Sequence, residues 1–64
     1  MRVYIKYMVS LRCKMMVQEL MEQLGIKNAV VNLGTVDVSE EISPEQLEIF
    51  RLKLAHLGLE LLDN

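Results

Sequence analysis

Between Tyr7 and Cys13 the apolar spacing of this chain changes from every second residue to every third or fourth, and this change of period constrains the fold more than any other feature. Upstream, Val3, Ile5 and Tyr7 alternate with Arg2, Tyr4, Lys6 and Met8. That is the period of a half-buried strand, with the first set inward, and its tyrosine and β-branched content agrees. Downstream, Cys13, Met16, Val17, Leu20, Met21 and Leu24 form the stripe of an amphipathic helix that starts near Lys14 and stops at Gly25. Glu19, Glu22 and Gln23 lie mostly off that stripe and are expected in solvent.

The rest of the chain repeats the alternation of element types. Asn28 to Leu33 and Val36 to Ser39 read as two short strands around a tight Gly34-Thr35 turn, with Ala29, Val31 and Leu33 sharing one face and Val36 and Val38 another. Ser43-Pro44-Glu45-Gln46 is a helix start: serine as N-cap, proline at the first helical position, an acid in the first turn and glutamine placed to close a capping box. Leu47, Phe50, Leu54 and Leu57 supply its core stripe, flanked by Ile49 and Leu52, and Gly58 ends it. Leu59-Glu60-Leu61 is a last short strand with both leucines inward. The order β-α-β-β-α-β, with right-handed crossovers, predicts an α+β ferredoxin-like sandwich: a four-stranded antiparallel sheet with two helices on one face.

Sixty-four residues make one small domain, spanning 1–64, that buries only about 60% of its unfolded surface and has little room for a deep cleft. With 52% hydrophobic and 25% charged residues a packed core is expected, built largely from five methionines and many leucines. A net charge of −2 with scattered basic residues argues against phosphate-backbone binding by this segment, which needs clustered Lys and Arg. The single cysteine rules out an internal disulfide and fits a reducing compartment, with cytoplasm the default. Neither a cleavable leader nor an apolar run of about 18 residues is apparent. An ending on Leu61-Leu62-Asp63-Asn64, directly after an apolar run, suggests a domain excised from a longer polypeptide.

Met8-Val9-Ser10-Leu11-Arg12-Cys13 has the outline of a soft-metal loop, M-x-C-x-x-C, with serine at the first cysteine. Two thiolates ahead of a helix N-terminus suit Cu(I) or Zn(II), because the positive helix end and exposed amides favour ionised thiols. One thiol does not make that pair. Cys13 is the one candidate metal residue, in a degenerate loop with Met8 and Ser10; no cofactor is expected, and Cu(I) or Zn(II) would bind weakly. As a small apolar side chain, Cys13 also fits the same helical stripe as Met16 and Val17. Met8 fits better as packing beneath the loop, and Ser10 as the helix cap. Met15, Met16 and Met21 read as core or near-core side chains rather than a methionine-rich metal box.

His56 is expected in solvent near a helix end, and Glu40, Glu41 and Glu45 in a loop and first helical turn, where acids are favourable without implying a cleft. No nucleophile-base pair or phosphate loop is recognisable, so catalytic sites are not expected. Arg12 and Lys14 read as a solvated basic spot or a docking patch for an acidic partner, and Arg2, Tyr4 and Lys6 as an exposed sheet face able to pair with another copy or with the remainder of a longer protein.

The Met8-to-Cys13 loop, Val17 and Leu20, the Val30-to-Val38 hairpin and the second helix ending at Gly58 resemble the heavy-metal-associated domain of copper chaperones and metal-transporting ATPases. More narrowly, Tyr4 to Met15 and Gly58 to Asp63 look like the N-terminal domain of AraC-type transcriptional regulators of Bacteroidetes-like bacteria. This resemblance implies a sensory or dimer-organising domain, with the remainder of the same regulator or a second copy as partner. DNA would be bound only through a C-terminal helix-turn-helix region, and no membrane is involved. The different alternative is a copper or zinc chaperone-like protein.

Overall fold

A computed structural model describes residues Met1 to Leu62; Asp63 and Asn64, on which the resemblance at the C-terminal end and the reading of the chain end partly rest, lie outside the described residues. The elements run β1 (Arg2–Lys6), α1 (Leu11–Gln23), β2 (Val30–Asn32), β3 (Thr35–Asp37), α2 (Pro44–His56) and β4 (Glu60–Leu62). One four-stranded antiparallel sheet has the order β2-β3-β1-β4, the ferredoxin-like arrangement. Register places Val36 of β3 between Val3 of β1 and Val31 of β2, while Ile5 stands opposite Leu61. These residues line the covered face.

The core is largely β-branched. Val3, Ile5, Val17, Val31, Val36, Val38 and Ile42 are buried with Leu20, Leu54, Leu59 and Phe50, and among the methionines only Met8 and Met21 join them. Met1 and Met15 are exposed, as are Leu11, Leu33, Leu52 and Leu57, so methionine and leucine contribute less to the interior than composition suggests. Phe50, Met21 and Leu54 are the largest fully buried side chains and fill the space between a small sheet and helices of 13 residues each.

Both helices begin and end by side-chain and backbone devices written in the sequence. Ser43 accepts from the Gln46 amide at 3.1 Å while the Gln46 side-chain oxygen accepts from the Ser43 amide at 3.4 Å, completing the expected capping box around Pro44. The Gln46 side-chain amide donates in turn to the Leu24 carbonyl at 3.1 Å, tying the start of α2 to the end of α1. The two C-termini match: Ile26 donates to Met21 and Gly25 to Glu22, as Leu59 donates to Leu54 and Gly58 to Ala55. Gly25 (φ 74°) and Gly58 (φ 81°) hold the left-handed conformation these bond pairs demand, with open space where a Cβ would sit, so conformation rather than crowding selects glycine.

Four sequence expectations are corrected. The first strand stops at Lys6, because Tyr7 adopts a left-handed backbone (φ 73°); this reverses the alternation, turning Tyr7 outward and Met8 into the core. With the strand shorter, α1 begins at Leu11 rather than near Lys14, directly after its Ser10 cap. The β2–β3 turn is Leu33-Gly34 rather than Gly34-Thr35: Asn32 pairs with Thr35, Gly34 takes φ 88°, and Leu33 is pushed from the inward face to the tip. Leu57 forms the C-cap of α2, past the last helical turn, and is exposed instead of extending the core stripe.

Candidate functional site

The loop from Tyr7 to Ser10 joins the C-terminal end of β1 to the N-terminus of α1 and brings Ser10 and Cys13 together. Ser10 is in extended conformation and caps the helix, accepting from the Cys13 amide at 3.3 Å; its hydroxyl also donates to the Cys13 Sγ at 3.4 Å. That donated bond, assisted by backbone hydrogen bonding at Val9, Ser10 and Cys13, holds the thiol below the usual cysteine range against the opposing effect of desolvation. Cys13 itself is half-buried and packs against the core, as its place on the helical stripe predicts.

The donor set does not fit a soft metal ion. Met8 is 5% exposed, its thioether part of the hydrophobic core beneath the loop, and Ser10 is engaged in capping. One thiol remains where Cu(I) or Zn(II) takes two or more soft ligands. Among the described residues, no group of three His, Cys, Asp or Glu side chains could hold a metal ion. His56 is exposed in the last turn of α2 beside Lys53, where a cation complements the helix dipole, and Glu40, Glu41 and Glu45 are exposed as expected.

What surrounds the loop is apolar surface. Val9 is 82% exposed, Leu11 67%, Met15 64% and Tyr7 58%. Leu11 and Met15 lie four residues apart on one face of α1, with Val9 just ahead of the cap. Sequence reading assigned Met15 to the core or its edge; it stands instead on the solvent face of α1, because Met16 and Val17 occupy the covered side. Arg12 and Lys14 flank this stripe. The Lys6 ammonium lies 5.1 Å from the centre of the Tyr7 ring, a cation–π arrangement that accompanies the outward-turned aromatic.

On the open face of the sheet, Arg2 and Asp37 form an ion pair across β1 and β3 at 2.6 Å, which raises the Arg2 pKa further above its ordinary value. Lys6 faces Glu60 across β1 and β4, and Tyr4 stands between Thr35 and Leu62. At the opposite end of the molecule from the loop, a groove of about 250 Å³ lies between Ile26-Lys27-Asn28 and Val38 to Ile42, rimmed by Glu40 and Glu41. In the wall of this groove Asn28, expected at the start of a strand, takes a left-handed backbone (φ 61°) instead.

No family model, curated protein or solved structure matches this chain. The fold is therefore identified by its own topology as a ferredoxin-like α+β domain. Among the described residues, no helix is long and apolar enough to cross a membrane.

Proposed function

We propose that this domain is a non-enzymatic, sensory or dimer-organising part of an AraC-type transcriptional regulator, acting in the cytoplasm, with DNA bound by a helix-turn-helix region outside these 64 residues. The resemblance of Tyr4 to Met15 and of Gly58 to Asp63 is what supports the AraC-type reading. The observation that supports an interaction role is the run of outward apolar side chains Tyr7, Val9, Leu11 and Met15 around the β1–α1 loop. Exposed apolar patches on a small domain mark contact surfaces. The charge pattern agrees with DNA binding elsewhere, since a net charge of −2 supplies no stripe to neutralise several phosphates.

The test is a mobility-shift assay on the full-length gene product and on residues 1–64 alone, at low and moderate salt. Sequence-specific retardation by the full-length protein and none by the fragment is the expected result. Retardation by the fragment, or an open reading frame that lacks helix-turn-helix sequence, overturns the reading.

A further inference from the structure

We propose that the β1–α1 loop and the first turns of α1 form a docking surface for an acidic amphipathic helix of a separate partner protein, with Val9, Leu11 and Met15 as the apolar seat and Arg12 and Lys14 as its rim. This assignment rests on exposure and charge; it takes the sensory rather than the dimer-organising form of the proposed function, which the open reading frame tests separately. Leu11 and Met15 are neighbours at i, i+4 on the helix, and Lys14 and Arg12 each lie three residues from one of them, on opposite sides of the pair. A two-residue apolar ridge bracketed by cations, with Val9 extending it into the loop, is thus presented to solvent.

Along the sequence the first third is basic, and in the fold Arg2 is paired with Asp37 and Lys6 stands opposite Glu60, which leaves Arg12 and Lys14 as the cations beside the ridge. Residues 1–18 contain Arg2, Lys6, Arg12 and Lys14 and no acid; every acidic residue lies at Glu19 or beyond. Such a surface selects a partner whose apolar side chains are interleaved with Asp and Glu, because opposite charges at an interface rim speed encounter and exclude like-charged competitors. An anionic bilayer is a poorer occupant. Glu19 and Glu22 continue the Met15 face along α1, so a flat headgroup surface laid on the ridge would meet them, whereas a short helix crossing the first turns would not. A second copy is also poorer: matching Arg12 and Lys14 to its Glu40, Glu41 and Glu45 would make a head-to-tail contact, which builds rings or filaments rather than a two-fold dimer.

The experiment titrates ¹⁵N-labelled domain with a synthetic 16-residue helix bearing Leu at i, i+3, i+4 and i+7 and Glu between them. Its twin with Lys for Glu, and vesicles of phosphatidylcholine with one-fifth phosphatidylglycerol, serve as rival probes. The acidic peptide should shift amide resonances from Val9 to Met15, and the basic twin should leave them in place. Reversing the rim with Arg12→Glu and Lys14→Glu should weaken binding by about tenfold, the scale of two exposed ion pairs lost. Val9→Asp should weaken it while retaining a dispersed spectrum, and Ile49→Asp, on the outer side of α2, should leave it unchanged. Absence of binding, equal response to both peptides, shifts centred on the sheet face, stronger response to the vesicles, or dilution-dependent shifts of the same resonances from self-association would each overturn the proposal.

Discussion

The Ser10 hydroxyl oxygen accepts the Cys13 amide at 3.3 Å and lies 3.4 Å from the Cys13 sulfur, so one side chain both starts α1 and solvates the only thiol of the chain. A cysteine at the first residue of such a loop would bring a second thiolate; serine instead spends its oxygen on the helix. The loop has a capping geometry, and Met8 lies beneath it in the core.

Ser10→Ala should therefore have two separable effects. Loss of the cap costs about 1 kcal/mol of stability, read from the denaturation midpoint at neutral pH. Loss of the donated hydrogen bond raises the Cys13 pKa, so the pH profile of iodoacetamide alkylation moves to higher pH. The sign for stability follows from linkage: a thiol depressed in the folded state contributes stability above its unfolded pKa, and this is lost as pH falls through the folded value. The gap between wild type and variant should hence widen on the alkaline side. An unshifted alkylation profile would show that Ser10 does not act on the sulfur.

Ser10→Cys should give a two-thiol loop. Competition against a chelator under reducing conditions should give much tighter Cu(I) or Zn(II) binding for the variant than for the natural chain, because soft cations favour two thiolates over a thiol and a hydroxyl. The wild-type domain should give a dispersed amide spectrum after chelator treatment, since its apolar core is complete without a metal. Equal affinities would place residue 10 outside any ligand position.

The topology was legible because three of the four helix boundaries carry unambiguous chemistry: the Ser43-Pro44-Glu45-Gln46 start and the Gly25 and Gly58 stops are local signals that tertiary packing did not override. Ser10 was legible as a cap, although the helix it starts was placed three residues too late. The errors cluster where a single backbone angle decides. Nothing in a Val-Tyr-Ile-Lys-Tyr-Met run announces that Tyr7 turns left-handed, yet that angle moves Met8 inward and starts α1 early. In the β2–β3 turn, Gly34 was recognised as a turn residue, but whether it takes the first or second position of the turn is fixed by strand register, which placed Leu33 at the tip. The apolar surface at Val9, Leu11 and Met15 was hidden because periodicity counts apolar residues without saying which are left outside.

Ser43→Ala should lower stability by about 1 kcal/mol, and in a 64-residue domain that is a visible shift of the denaturation midpoint. Pro44 sets the backbone of the first turn but supplies no acceptor for the Gln46 amide, which the Ser43 oxygen holds at 3.1 Å. Ser43→Asp, which keeps an acceptor at the cap and adds charge favourable to the helix N-terminus, should retain the midpoint. If both variants behave alike, the capping bond is not what stabilises α2.

Tyr7 offers a test of the backbone strain that sets the loop. A bulky residue in the left-handed region costs about 1–2 kcal/mol, while glycine there is free of that cost but loses about 0.5–1 kcal/mol through the greater freedom of its unfolded chain. The exposed contact with Lys6 contributes about 0.5–1 kcal/mol. These effects nearly cancel, so Tyr7→Gly should leave the denaturation midpoint almost unchanged despite removing a large side chain. Tyr7→Val should destabilise the domain clearly, because a β-branched residue at φ 73° is strained further and supplies no ring for Lys6. Both variants are read by urea titration of the helical signal, and a valine variant as stable as the glycine one would mean that residue 7 reaches an extended conformation at little cost, with Met8 then free to leave the core.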